Sequence, residues 1–116
     1  MKITVKEEGA TTVILLDGRL DLATGTNLKD EVKKLCDKGV KRLHLNLQKV
    51  EFINSSGLGA MVSVMKQVRL KKGRLTLSNL ATYVREIFEI TQLSHVFEIY
   101  ETQQEALETS DKVTSE

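Results

Sequence analysis

Phe52-Ile53-Asn54-Ser55-Ser56-Gly57-Leu58-Gly59 is the stretch on which the reading of this chain turns. The run Val50-Glu51-Phe52-Ile53 before it has strand character, and beyond it Leu58, Met61, Val62, Met65 and Val68 recur at helical spacing. The stretch is therefore a strand-to-helix junction. Asn or Ser at such a point caps a helix by accepting a bond from a free backbone N–H. Glycine inside a helix costs up to about 1 kcal/mol relative to Ala, so Gly57 and Gly59 in the first turns call for a reason. Either another backbone, a partner or an anion approaches closely, or the helix start packs tightly on its own neighbours. Spacing alone leaves both open. Gly73, after Lys71-Lys72, is the stop signal of this helix.

Outward from the junction the same alternation continues. Leu43, Leu45 and Leu47 alternate with Arg42, His44 and Asn46, which predicts a strand covered on one face with His44 on the less covered side. Before it, Leu28, Val32, Leu35 and Cys36 form one apolar helical stripe, with Thr24 or Thr26 expected as its cap and Gly39 as its stop. Cys36 then reads as a small core residue. At the start, Ile3 and Val5 alternate with Lys2, Thr4 and Lys6, Gly9-Ala10 is a turn, and Thr11 to Leu16 closes at Asp17-Gly18, which together predict a hairpin. Downstream, Leu75 and Leu77 mark a strand, Val84, Ile87 and Phe88 a helical stripe, and Leu93, Val96, Phe97 and Ile99 an apolar run ending in a short strand. Gln103 to Glu108 reads as a last helix. The order β-β-α-β-α-β-α-β-α predicts an α/β fold, a mixed β-sheet with helices mainly on one face. One domain is expected over residues 1–108, followed by a polar, disordered tail over 109–116.

Composition narrows the function. The 116 residues suit one domain, with roughly 6,300 Å² of folded surface expected. A single cysteine cannot form an internal disulfide, and no Cys/His cluster has zinc spacing. Net charge is +1 from 17 basic and 16 acidic residues, which argues against a broad surface for nucleic acid. The charge is nonetheless uneven: Lys66, Arg69, Lys71, Lys72 and Arg74 are basic, whereas the segment from Glu98 onward is acidic. There is no Trp, and aromatics are 4%, so stacking platforms for bases or sugars are not expected. The longest aliphatic run, Val13 to Leu16, is far short of a membrane span, and residues 1–8 lack the apolar stretch of a signal peptide. A cytoplasmic protein without cofactor or metal is expected, with its oligomeric state left open.

Sharper catalytic motifs fail at the junction. No Gly is followed by Lys-Ser or Lys-Thr as a P-loop requires, Val62 stands where a dinucleotide fingerprint needs its third Gly, and neither Ser55 nor Ser56 sits in G-x-S-x-G. His44 and His95 are not coupled by spacing to either serine. A small hydrolase using Ser55 or Ser56 therefore has little to stand on, and no enzyme is expected. What remains is a serine at a helix start. A phosphoryl group there would carry about −1.5 to −2 charge facing the positive end of the helix dipole, so its effect would fall on whatever docks against this surface.

Phe52 to Gly59 resembles the D-S-[ST/A]-G-L-G signature of bacterial anti-sigma factor antagonists, stand-alone domains of the type shared by sulfate transporters and anti-sigma factor antagonists. Gly18-Arg19-Leu20-Asp21 is similar to that family's G-x-[LI]-D segment, and Leu45-Asn46-Leu47 to its [LV]-D-[LF] strand. The resemblance runs from about Lys2 to Leu107. It implies partner switching: binding to an anti-sigma factor that is also a serine kinase, release of the sigma factor, and inactivation by phosphorylation at Ser55. ATP would be bound by the kinase. Asp21, Asn54, Ser56, Gly57, Leu58 and Gly59 would lie on or near the docking surface. One departure stands out, since Asn54 replaces the signature's acidic residue and removes a charge beside Ser55. That departure admits an alternative, in which the same domain is a binding subunit of a transport complex or of a non-sigma partner switch with little dependence on phosphorylation.

Overall fold

A computed structural model describes residues 1–114 in the order β1 (Lys2–Glu8), β2 (Thr11–Leu20), α1 (Leu22–Asp37), β3 (Arg42–Ile53), α2 (Ser55–Leu70), β4 (Arg74–Ser78), α3 (Thr82–Ile90), β5 (Glu98–Tyr100) and α4 (Gln103–Thr114), with a short 3-10 turn at Leu93–His95. The strands form one sheet in spatial order β1-β2-β3-β4-β5. β1 is antiparallel to β2, and β2 through β5 are mutually parallel. The expected mixed α/β architecture is what forms.

The placement of the helices follows from handedness. Parallel strands laid down in sequence across a sheet, each joined by a right-handed crossover, put every connecting helix on the same face. Accordingly Leu28 and Val32 of α1, Met61 and Val64 of α2, and Val84 and Phe88 of α3 share one core with Ile14, Leu45 and Leu77. Those three strand residues are aligned across β2, β3 and β4, so one row of side chains faces the helices. Phe88 packs edge-on against Phe97 with ring centroids 5.4 Å apart, closing the core at the β5 end. The folded surface of 6526 Å² is close to the roughly 6,300 Å² expected for this mass.

Helix α4 follows the last strand, has no crossover to complete, and covers the other face. Asn46 Nδ2 donates to Gln103 Oε1 at 2.9 Å across that layer, and Ala106 is fully buried. This overturns the expectation that β3 is covered on one face only: His44 lies on the less covered face, on the side of α4, yet its residue is 0% exposed. Its Nδ1 lies 2.7 Å from Thr76 Oγ1 and its Nε2 2.6 Å from Ser78 Oγ, so two hydroxyls of β4 satisfy both ring nitrogens. The polar alternation along β3 marks a hydrogen-bonded second layer and not solvent. Burial pushes the His44 imidazole down to about 4, so it is neutral at physiological pH.

Three boundaries differ from expectation. β2 continues beyond Asp17-Gly18 to Leu20, because Gly18 adopts φ 133° at a register shift and the strand resumes with Leu20 fully buried. α1 starts at Leu22, so its cap is Asp21 and not Thr24 or Thr26. α4 runs through Thr114, across most of the segment expected as a tail, and residues 115–116 lie outside the described residues.

Candidate functional site

The junction at Asn54 is built from two helix starts held side by side. Asn54 is the cap of α2, its Oδ1 accepting the Gly57 N–H at 2.9 Å. Its own N–H donates to Leu20 O at 3.3 Å, tying the end of β3 to the end of β2. The next residue after Leu20 is Asp21, the cap of α1. Asp21 Oδ1 accepts the Thr24 N–H at 3.1 Å, and Thr24 Oγ1 accepts the Asp21 N–H at 2.9 Å, a reciprocal capping box. The Thr24 hydroxyl in turn donates to Arg19 O at 2.7 Å. The Thr24 N–H, and then the Thr24 hydroxyl, which also lies 3.0 Å from Asp21 Oδ1, hold the Asp21 carboxyl below its usual range.

Gly57 and Gly59 have different reasons. A Cβ on Gly57 would collide with Leu20 O, lie 2.7 Å from the Leu20 carbonyl carbon and 3.1 Å from Ile53 Cγ1. Close approach of a neighbouring backbone inside this chain accounts for that glycine. Gly25 of α1 plays the matching part, since a Cβ there would sit 2.6 Å from Ala60 Cβ on α2. A Cβ on Gly59, by contrast, would meet nothing within 4 Å, and the residue is exposed. Nothing in the fold requires a glycine there.

The remaining residues fall into two groups. Ser55 and Ser56 are exposed in the first turn of α2, and Asn54 is exposed beside them. Gly57 is buried, and Leu58 is partly buried against the core. Asp21, at intermediate exposure, adjoins this surface through the Leu20 link. Leu22, the first residue of α1, is 69% exposed and was not singled out from the sequence. It lies off the buried stripe of Leu28, Val32, Leu35 and Cys36, and that phase mismatch beside a capping Asp was a readable signal.

Chemistry at the surface is limited. A cleft of about 740 Å³ lies nearby between Asp17, Gly18 and Arg19 on β2 and Gln48, Lys49, Glu51 and Phe52 on β3, and none of Asn54 to Gly59 lines it. The Arg19 guanidinium stacks 3.9 Å from the centre of the Phe52 ring. Among the described residues no group of three His, Cys, Asp or Glu side chains could hold a metal. Cys36 is buried in the core, where desolvation and then Asp37 push its thiol up, away from the reactive thiolate. The basic and acidic stretches meet directly, with Arg74 bidentate on Glu98 at 2.9 and 2.5 Å. No described helix is long and apolar enough to cross a membrane.

Comparison with known proteins adds a family, a curated relative and three solved structures. A family model described as the STAS domain matches residues 2–106. A curated relative, the candidate anti-sigma factor antagonist BtrV of Bordetella bronchiseptica, is 32% identical over 106 residues, covering 91% of each chain. Among solved structures, a candidate anti-sigma factor antagonist from Thermotoga maritima superposes with a TM-score of 0.86 at 25% identity, over 92% of both chains. The anti-sigma factor antagonist SpoIIAA, solved in unphosphorylated form, superposes with a TM-score of 0.72 at 23% identity, over 97% of this chain and 98% of its own. SpoIIAA of Bacillus has also been solved in phosphorylated form, with a TM-score of 0.72 at 22% identity, over 94% and 99%.

Proposed function

The chain belongs to the STAS domain family, and on that premise we propose that it is an anti-sigma factor antagonist whose docking surface is the paired start of α1 and α2. It is a binding protein and not an enzyme. Its partner is an anti-sigma factor serine kinase, and binding releases the sigma factor that the kinase holds. Phosphorylation at Ser55 ends the interaction.

The observation that carries this reading is Ser55 itself: an exposed hydroxyl at the first residue of α2, immediately after its cap. A kinase can reach it without unfolding anything. The free N–H groups and positive dipole end of α2 accommodate the added charge, so the fold survives and the docking surface gains negative charge. Asn54 fits the same account. Its Oδ1 already performs the capping bond that an Asp would make, so replacing the family's acid leaves the local fold intact and removes only a charge beside the phosphate. Gly59 supports a docked partner as well, being a helical glycine whose missing Cβ nothing within the chain requires.

The test is phosphorylation by the anti-sigma factor serine kinase of the same organism. With ATP, the purified chain gains the mass of one phosphoryl group, and peptide mapping places it on Ser55. Ser55→Ala gains none. Phosphorylation of the alanine variant would reassign the site. A chain that the kinase binds but never modifies would favour the phosphorylation-independent partner switch.

A further inference from the structure

Among the described residues, β1 is the one long open edge of the sheet. It pairs with β2 on one side only, whereas the opposite edge strand, β5, has three residues. β1 is extended over Lys2–Glu8, and its apolar Val5 is 38% exposed. An edge of this kind offers a row of unpaired main-chain donors and acceptors to another strand. We propose that a second copy of this chain occupies it, with the two β1 strands antiparallel about a two-fold axis at Val5, making one continuous sheet across the dimer.

The register follows from two constraints. Outward main-chain groups alternate along β1, so an antiparallel copy must align even positions with even and odd with odd. That leaves three extensive registers. Centring on Thr4 sets Lys2 against Lys6, and centring on Lys6 sets Lys6 against its own copy, both like-charge pairs. Centring on Val5 sets Lys2 against Glu8 twice, Thr4 against Lys6, Ile3 against Glu7 and Val5 against Val5. This register alone opposes no like charges and covers the exposed valine with its copy. Charges that guard an edge against foreign strands thus select a second copy of the same strand.

The test is sedimentation of the full chain across the micromolar to millimolar range, with circular dichroism confirming that each variant is folded. Wild type forms a dimer whose fraction rises with concentration and falls with added salt. Glu8→Lys faces Lys2 of the copy and weakens association by about tenfold. Glu8 is exposed at the hairpin end opposite Thr11, so this variant keeps its fold. Lys2→Glu is likewise weakened, and mixing it with Glu8→Lys restores dimer, because both cross-strand pairs are then opposite in sign. Should Lys2→Glu fail to fold, Glu8→Lys alone decides. A wild type that stays monomeric throughout, or a dimer indifferent to the charge changes, overturns the proposal.

Discussion

Replacing Gly59 and, separately, Gly57 by alanine separates the two reasons for glycine in the first turns of α2. Alanine is favoured over glycine in a helix interior by about 1 kcal/mol. At Gly59 the new methyl meets nothing within 4 Å, so the gain is uncompensated and Gly59→Ala stabilises the chain by about 0.5–1 kcal/mol. For a domain of 116 residues that is a rise in Tm of about 2–4 °C. At Gly57 the same gain is opposed by a Cβ placed against Leu20 O and 3.1 Å from Ile53 Cγ1. Relief requires the end of β2 to shift, which strains the Asn54 N–H to Leu20 O bond of 3.3 Å. Overpacking against backbone costs about 1–3 kcal/mol, so Gly57→Ala is destabilising. Urea denaturation followed by circular dichroism measures both. Equal effects in the two variants, or a loss of stability in Gly59→Ala, would refute the assignment of one glycine to the fold and the other to the surface.

Three further outcomes are expected. Asn54→Ala loses about 1 kcal/mol by leaving the Gly57 N–H unpaired, while Asn54→Asp keeps that bond and gains about 0.3–1 kcal/mol from the helix dipole, both read by denaturation midpoints. His44 is neutral in the fold with its pKa at about 4, against about 6.5 unfolded, so its stabilisation is complete above pH 6.5 and is lost as pH falls towards 4, by about 3 kcal/mol in total. His44→Gln flattens the slope of stability against pH between about 6.5 and 5.5, above the range in which ordinary carboxylates titrate. Phe88→Ala removes a fully buried ring and its edge-on contact with Phe97, costing about 3–5 kcal/mol in equilibrium unfolding.

Much of this was legible in the chain because the signals were local. Strand alternation, the apolar stripes of α1 to α3 and the glycine stops each depend on residues a few positions apart. The junction at Asn54 was readable for the same reason: a cap, two serines and two glycines lie within six positions. The burial of His44 was missed because its partners, Thr76 and Ser78, are more than thirty positions away. A polar residue on a strand reads as solvent-facing until a second strand supplies its hydroxyls. The cap of α1 was missed for a different reason. Asp21 and Thr24 have the spacing of a capping box, but β2 was expected to end at Asp17-Gly18, and the bulge at Gly18 carries the strand on to Leu20. The distinction between Gly57 and Gly59 needed the Leu20 carbonyl, which only the packing of β2 on α2 brings to one of them.

The central claim, that this surface binds a kinase and is switched at Ser55, is tested most directly by calorimetric binding of the anti-sigma factor serine kinase of the same organism to three forms of the chain. Wild type and Ser55→Ala bind with equal affinity, and Ser55→Asp binds at least about tenfold more weakly, a loss of about 1.4 kcal/mol. Equal binding by Ser55→Asp, with all three forms folded, would contradict the account.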